Sequence, residues 1–427
     1  MANRQGYLML TKAKHRFTSL FKPAKGKKDI FENFYFGTEQ SQLTIFDDFL
    51  PNLIGSWRGF EIGVYLKTCL NSNLICLLNF YDRENSNVDD KFSNHKESFV
   101  RKYNLHHDSI IPINKEGGIN INTKHAYCLF FNNLYTVYPL LKKFQIPFSF
   151  TLYPGGGFKL YDSVCEKFLV EINSSPLFKG VIVTQAGVKN YLINRGLIDA
   201  HRINYIYGAP IEVSSYDSVY EKKYYAKNKP TLDICFVSAK YMKYGLDKGF
   251  DIFCEVAFRA TKKYDFIRFH VVGGFDRNDL LYDVPEDKIF FYGYQDFDWF
   301  KKFYSDIDLI ISPVKPFVLS AGAFDGFPTA AVMDAGFLGA CMLTSDPLGD
   351  NYNVGFKNWE DVVLIDSNAN SVMEAIDRLI LNPTLIEAIA ASGRTKLHQL
   401  LSPQIQMVER VNILKQHLTN NTHLKDT

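Results

Sequence analysis

The residues best suited to chemistry lie between positions 323 and 351, where an acid precedes a Gly-Phe-Pro turn and a second acid lies inside a small-residue helix pattern. A turn that leads into a helix presents free backbone N–H groups and the positive end of the helix dipole to an anion. Gly326 lets the backbone approach a ligand, and the Asp334 carboxylate can accept hydrogen bonds from vicinal hydroxyls such as those of a ribose. The alternative is that Asp325 caps the helix and Asp334 is merely exposed.

Two lysines upstream, Lys240 and Lys248, flank a glycine-containing loop between a strand pattern and a helix pattern. This placement puts both ammonium groups near the carboxyl end of the strand. Cations at such a position can neutralise a diphosphate leaving group. We predict that both side chains reach one pocket. The alternative is that each is an ordinary solvated lysine.

Two further candidates lie in the N-terminal half of the chain. Gly155, Gly156 and Gly157 follow an apolar strand pattern, and they either cradle a sugar or phosphate by close backbone approach or form a flexible turn. Arg58 opens the first long helix pattern, where it either meets an acidic acceptor or faces solvent. Both features are candidates for the acceptor side of an active site.

Two adjacent acids, Asp47 and Asp48, follow a strand pattern and either face an acceptor or cap the next element. Several familiar motifs are absent from the sequence. It has no G-x-x-x-x-G-K-[ST] loop, no G-x-S-x-G elbow, no zinc-ligand spacing, and no G-x-G-x-x-G after the first strand. A dinucleotide oxidoreductase is therefore not expected, and neither a metal site nor a cofactor is predicted.

The elements that must position these residues alternate between strands and helices. Near-continuous apolar runs such as AYCLFF, PFSFTL and FIRFHVV are typical of parallel strands covered on both faces. A chain of 427 residues suits two such domains, with a ligand cleft between the carboxyl ends of their sheets. The expected organisation is a basic arm at 1–30, an N-terminal domain at 31–213, a linker at 214–230, a C-terminal domain at 231–400, and a helix and tail at 401–427.

Composition bounds the class of protein. A formal net charge of +2 gives no global attraction to nucleic acid. Seven widely spaced cysteines without a C-x-x-C pair indicate reduced, mostly buried thiols and a cytoplasmic protein. The sequence shows no long apolar run, so a soluble or peripheral protein is expected. Residues 11–28 carry seven basic side chains and no acid, which indicates either a solvated tail or contact with an anionic membrane.

Several segments together resemble a known family. FVSAKYMKYGLDKGFDIF, VVGG, IFFYGY, DLIISP and DGFPTAAVMDAGFLGACMLTSD are similar, in order and approximate spacing, to the donor domain of family 4 retaining glycosyltransferases. The likeness covers about residues 231–395. FDDFLPNLIGSWRGFEIGVYL and FTLYPGGGF resemble segments of bacterial members that build surface polysaccharides. The resemblance implies a GT-B fold, with two Rossmann-like α/β domains whose parallel sheets face each other across a cleft.

The resemblance also implies roles for individual residues. It implies that Lys240 and Lys248 contact a donor diphosphate and that Asp325 acts at the donor sugar, which makes these three the candidate catalytic residues. The remaining implied donor-binding residues are Gly273, Tyr294, which lies where the family holds the base, Gly326, Phe327, Thr329, and Asp334 at the ribose. A final helix at 402–418, with apolar residues at helical spacing, is expected to pack back across the domain boundary.

The sequence departs from the family pattern at three places. Asp325 and Asp334 replace two glutamates and stand one position further apart than those glutamates do. Lys240 replaces an arginine and gives up bidentate geometry. Tyr153 stands where the family often has a histidine facing the donor sugar.

The function implied is transfer of a sugar, with retention, from a nucleotide diphosphate sugar to a hydroxyl of a glycan or lipid-linked acceptor. The alternatives are a catalytically silent nucleotide-sugar-binding protein, which the altered acid pair favours, and a sugar-nucleotide epimerase of similar fold.

Overall fold

The computed structural model describes residues 31–48, 56–77, 88–217 and 220–419. The basic segment 11–28, for which membrane contact was considered, lies outside these residues. Within them, two parallel sheets form the framework, each covered by helices on both faces. All seven cysteines are buried and unpaired. Among the helices described, none is long and apolar enough to cross a membrane.

The N-terminal sheet has seven parallel strands in the order β4-β3-β2-β6-β7-β8-β9. Its central strands are almost continuously buried, as expected for strands with helices on both sides. A short pair, β1 and β5, lies beside it. The strands are β1 Phe34–Tyr35, β2 Ser41–Asp47, β3 Ser72–Cys76, β4 Ile110–Pro112, β5 Ile119–Asn120, β6 Thr123–Leu129, β7 Phe148–Leu152, β8 Phe178–Val183 and β9 Ile203–Tyr205.

The C-terminal sheet has six parallel strands in the order β12-β11-β10-β13-β14-β15. Every apolar run that the sequence indicated as a strand in this half appears in it. The strands are β10 Leu232–Val237, β11 Ile267–Val272, β12 Ile289–Phe291, β13 Leu309–Ser312, β14 Cys341–Thr344 and β15 Val363–Leu364.

The helices cover both faces of each sheet. Those of the N-terminal half are α1 Trp57–Thr68, α2 Val88–Tyr103, α3 Phe131–Lys143, α4 Ser163–Asn173 and α5 Ala186–Asn194. Those of the C-terminal half are α6 Phe250–Lys263, α7 Phe297–Asp306, α8 Ala330–Phe337, α9 Asn351–Val354, α10 Ala369–Leu381, α11 Thr384–Leu401 and α12 Pro403–Thr419.

The last helix, α12, confirms the expected crossing between the two halves. Arg410 on this helix is fully buried and donates to the Glu61 carboxylate of α1 at 3.3 Å. Its second terminal nitrogen donates to the carbonyl of Gly208 at 3.0 Å. The Gln406 side chain also donates to the carbonyl of Tyr207 at 2.8 Å. The final helix is therefore anchored in the N-terminal half.

In each sheet the strand order reverses at one point, and ligands of open α/β sheets bind at the carboxyl ends of the strands beside such a point. In the N-terminal sheet the reversal lies between β2 and β6, and in the C-terminal sheet between β10 and β13. The loops after β10 and β13 carry Lys240, Lys248 and Asp325, and the loop after β2 carries Asp48. The topology thus brings the candidate residues of both halves to two facing edges.

Candidate active site

The loop after β10 is shaped by a close backbone approach. A Cβ atom at Gly273, which has φ of +126°, would lie 1.9 Å from the carbonyl oxygen of Ser238. Glycine is therefore required for the end of β11 to pass this loop. The chain then forms a 3-10 turn over Lys243–Lys248 and enters α6 through Gly249 at φ of +74°. This local structure fixes both candidate lysines at the carboxyl edge of the sheet.

Lys248 is held at the centre of this edge. Its ammonium group lies 2.5 Å from the Asp325 carboxylate and 3.9 Å from that of Asp247. The ring of Tyr241 covers it at 5.1 Å. Burial raises the pKa of the Asp247 carboxyl, with Lys248 opposing that shift. Two of the three predicted catalytic residues are thus in direct contact, although 77 positions separate them in sequence.

Lys240 has a different carboxylate partner. Its ammonium group contacts both oxygens of Asp279, at 2.6 and 2.7 Å, and lies 5.9 Å from the centre of the Phe275 ring. Both lysines are partly shielded and paired, so neither is the solvated lysine of the alternative interpretation. The arrival of both ammonium groups at one ligand stays a prediction.

The turn that contains Asp325 is clamped by the N-terminal half. The Gln185 side chain accepts from the backbone N–H of Phe327 at 3.4 Å, and the Tyr207 hydroxyl donates to the Phe327 carbonyl at 2.8 Å. A Cβ atom on Gly326 would lie 3.1 Å from the Gln185 amide nitrogen. Nearby, Asp350 accepts from the N–H of Gly187 in the first turn of α5 at 2.9 Å. The two halves therefore meet directly at the candidate site.

The structure excludes the proposed capping role of Asp325. The residue before α8 is Thr329, which makes no side-chain capping bond. Thr329 instead lines the cleft pocket described below. Tyr294 is exposed in the loop after β12, and its hydroxyl lies close to the backbone of Gly274. Both arrangements leave the predicted donor-binding roles of Thr329 and Tyr294 open.

Asp334 is half-buried in α8, so the alternative that it is merely exposed is wrong. It accepts a short hydrogen bond from the hydroxyl of Tyr216, which comes from the predicted linker. The Tyr216 ring packs against Phe297 and Phe337 at 5.0 and 4.9 Å between centroids. Burial raises the pKa of Asp334 to about 6, although the Tyr216 hydrogen bond acts in the opposite direction. A hydroxyl donor already occupies this carboxylate.

A pocket of about 180 Å³ opens between the two halves beside Asp325. One wall comes from the loops of the N-terminal sheet and the other from the turn and first residues of α8. Asp325 is therefore shared between the Lys248 contact and the pocket wall. The lining residues include Trp57, Phe130, Tyr153, Gln185, Tyr207, Asp325, Gly326, Phe327, Thr329 and Met333.

Tyr153 contributes its ring to the pocket, whereas its hydroxyl points to another partner. The hydroxyl donates to the second oxygen of Glu61 at 2.5 Å. Burial raises the pKa of Tyr153 well above its ordinary value, so the hydroxyl remains a donor. The Glu61 carboxylate also accepts from Tyr65 and from Arg410. A buried polar network thus lies behind the pocket wall.

The three glycines form an ordered turn. Gly155, Gly156 and Gly157 all have positive φ, of 83°, 54° and 83°. The carbonyl of Gly156 accepts from the N–H of Asn132 at 2.8 Å, and a Cβ atom on Gly156 would lie 2.5 Å from the Phe130 ring. These contacts define the conformation of the turn, and both the cradle role and the flexible-turn alternative stay open.

Arg58 is buried, so the alternative that it faces solvent is wrong, and its contact with an acidic acceptor stays a prediction. Its guanidinium contacts the carboxylates of Asp47 at 2.6 Å and Asp48 at 2.5 Å. Ser56, and neither acid, caps α1. The guanidinium also lies 4.6 Å from the centre of the Phe130 ring. Because Asp47 and Asp48 neutralise its charge, Arg58 joins the end of β2 to α1 and so supports the loops around the pocket.

The sequence interpretation missed several residues of this site. Gln185 lies after Thr184 in the loop that follows β8, so a polar residue near the carboxyl end of a parallel strand was a usable signal. Trp57 lies within a segment already quoted for its resemblance to a family. Tyr207 and Tyr216 carry no local signal, because their roles arise from contacts with residues 120 and 118 positions away in sequence.

No protein-family model and no curated protein sequence matches the chain. Solved structures do match it. A glycosyltransferase from Rickettsia africae is 15% identical with a TM-score of 0.59, over 89% of this chain and 99% of that one. Sucrose-phosphate synthase from Thermosynechococcus elongatus is 14% identical with a TM-score of 0.58, over 89% and 100%. Anabaena HepE, solved with UDP and glucose, is 10% identical with a TM-score of 0.59, over 90% and 100%. The chain thus has the GT-B fold, which confirms the predicted fold class.

Proposed function

We propose that this chain transfers a glycosyl group, with retention, from a nucleotide diphosphate sugar to a hydroxyl of a glycan or lipid-linked acceptor during surface polysaccharide assembly. The observation that carries the proposal is the contact between Lys248 and Asp325 at the edge of a pocket shared by both halves. The fold supports it, as does the binding of UDP and glucose by the similar HepE structure. The division into an acceptor-side domain at 31–213 and a donor domain at 231–400 belongs to this proposal.

The step itself needs little covalent help from the protein. The bond between the sugar C1 and the diphosphate oxygen breaks, the acceptor oxygen bonds to C1, and the acceptor's hydroxyl proton passes to the leaving diphosphate. Negative charge grows on that diphosphate as the bond breaks, and a fixed cation stabilises it. Lys248 supplies this cation once the donor displaces Asp325 from it. Asp325 then becomes available to the hydroxyls of the donor sugar.

Donor binding should depend on pH through Asp334. The ionised carboxylate accepts hydrogen bonds from ribose hydroxyls better than the neutral acid does. Because the pKa of Asp334 is raised to about 6, affinity for UDP-glucose should be constant above that pH and fall below it. The contribution of Asp334 to the free energy of unfolding changes in the opposite direction. Because the pKa of Asp334 is higher in the folded protein than in the unfolded chain, this contribution grows as the pH falls from about 6 towards the pKa of the unfolded chain. Calorimetric titration between pH 5 and 8 measures the affinity.

The control for this pH dependence is Asp334→Asn, which cannot titrate. Its affinity should be lower at neutral pH and flat across the same range. UDP-glucose is a suitable probe because its diphosphate stays ionised throughout. An unchanged slope in Asp334→Asn would assign the titration to another group and remove the ribose role.

A panel of nucleotide sugars tests the proposed function directly. A ligand at 100 times its dissociation constant stabilises the folded state by about 2.7 kcal/mol, so UDP-, GDP- and ADP-sugars can be compared by thermal unfolding. We expect one nucleotide class to raise the melting temperature clearly above the others. Absence of stabilisation by every nucleotide sugar would contradict the proposal. Release of a free epimer without an acceptor would favour the epimerase alternative.

A further inference from the structure

Three aromatic rings form one wall of the cleft pocket, which we call the aromatic wall: Trp57, Phe130 and Tyr153. Trp57 and Tyr153 lie 4.5 Å apart between ring centroids, Phe130 and Tyr153 5.3 Å, and Trp57 and Phe130 5.9 Å. Trp57 is half-buried and packs against the apolar clusters of both halves. The wall is thus a continuous aromatic surface where the N-terminal and C-terminal halves meet.

Phe130 holds an unusual backbone conformation at this wall. It lies between β6 and α3 with φ of 70° and ψ of 154°, a region that essentially only glycine adopts. Such a residue persists only where its surroundings over-determine it, and these residues cluster at ligand sites. The Phe130 ring lies 4.6 Å from the Arg58 guanidinium and packs closely on Gly156, where a Cβ atom would lie only 2.5 Å from the ring. The strained backbone at Phe130 places its aromatic ring in the wall of the pocket.

The charges around the pocket exclude one class of ligand. Among the described residues that line it, the one ionisable acid is Asp325, and none is a lysine or arginine. The nearest guanidinium, that of Arg58, lies behind Phe130 and is paired with Asp47 and Asp48. A phosphate or carboxylate in this pocket would face the Asp325 carboxylate, and the Lys248 ammonium group that pairs with this carboxylate does not line the pocket. The pocket therefore suits an uncharged ligand.

The size and surface of the pocket suit a single ring. At about 180 Å³ it is smaller than the roughly 300 to 1,000 Å³ typical of pockets for drug-sized ligands. The axial C–H groups of a pyranose carry partial positive charge and pack on the negative face of an aromatic ring. The opposite wall offers the Asp325 carboxylate and the Thr329 hydroxyl as partners for ring hydroxyls.

We propose that the aromatic wall binds an uncharged pyranose ring, the terminal sugar of the acceptor glycan, and that it rejects a phosphorylated or acidic sugar at this subsite. This assignment rests on the proposed function, because it places the accepting hydroxyl beside Asp325 and the donor. It also specifies the acceptor: the chain extends a neutral sugar end.

Saturation-transfer NMR tests the subsite without turnover. The probes are the methyl pyranosides of glucose, galactose, mannose and N-acetylglucosamine, with glucose 6-phosphate as the charged counterpart, each measured with and without UDP. At least one methyl pyranoside should bind, and glucose 6-phosphate should not. Trp57→Ala should weaken that binding about tenfold or more, because it removes a central aromatic contact. Trp57→Phe should keep most of it. Trp57→Leu serves as the non-aromatic variant if the alanine protein does not fold.

The matched control is Trp359→Phe, whose ring lies under the Arg378 guanidinium at 3.8 Å and does not line the pocket. It should bind the pyranoside as the unaltered chain does. Equal binding of glucose 6-phosphate, no binding of any pyranoside, or unchanged binding in Trp57→Ala and Trp57→Leu would each overturn the inference. Nucleotide-sugar binding is measured separately by calorimetry. If the unaltered chain binds a pyranoside but no nucleotide sugar, the proposed function is contradicted and the pyranose subsite is still supported.

Discussion

Lys248→Ala should lower the turnover number about 100- to 1,000-fold, which corresponds to roughly 2.7 to 4 kcal/mol of barrier. Donor affinity should fall much less. The diphosphate is already charged in the bound donor, but its charge grows as the glycosidic bond breaks, so a fixed cation stabilises the transition state more than the ground state. Turnover and donor affinity, measured separately on the same protein, give the two quantities.

The same loop supplies a control for the Lys248 variant. Lys243 is exposed and lies 4.5 Å from the centre of the Tyr244 ring, away from any carboxylate contact among the described residues. Lys243→Ala should therefore turn over almost normally. Lys240→Ala should resemble Lys248→Ala if its ammonium group leaves Asp279 for the diphosphate. Near-normal turnover in Lys248→Ala would remove the diphosphate role and most of the case for this donor site.

The folded framework was accessible from sequence because its signals are local. Buried parallel strands appear as apolar runs, Gly273 stands directly after one such run, and Lys240 lies in the loop that follows another. The resemblance implied that Lys248 acts at the diphosphate and Asp325 at the sugar of one donor, and the structure brings the two side chains into contact. Alternation thus sufficed for the sheets, whereas the roles that the resemblance implies for the site residues stay predictions.

Other features of the site depend on contacts between residues that are distant in sequence, and no local pattern encodes those contacts. Tyr216 and Asp334 lie 118 positions apart, and Gln185 and Phe327 lie 142 apart. Arg58 illustrates the same limit, because its type suggested an acidic ligand whereas its position places it between Asp47 and Asp48. A charged residue can be assigned to a ligand only after the partners within its own chain are known.

The longest of these connections should have the largest effect on stability. Arg410 and Glu61 are 349 positions apart, both fully buried, and together they attach α12 to the N-terminal half. Arg410→Met removes the cation and leaves the Glu61 carboxylate buried without a counter-ion. Breaking such a buried pair costs about 3 to 5 kcal/mol. We expect a melting temperature lower by roughly 10 °C, since each kcal/mol shifts it by about 2 to 4 °C in domains of this size.

A double variant separates the lost charge pairing from lost packing. Glu61→Gln combined with Arg410→Met removes both charges, so it should recover much of the stability, because an uncharged buried site no longer requires a counter-ion. The matched surface control is Lys142→Met, which breaks an exposed contact with Glu171 at 3.1 Å and should cost at most about 1 kcal/mol. A single Arg410→Met variant that melts like the Lys142→Met control would show that the Arg410–Glu61 pair does not stabilise the attachment of α12.

Because Tyr153 donates to the same Glu61 carboxylate, destabilisation at Arg410 should also weaken ligand binding at the aromatic wall.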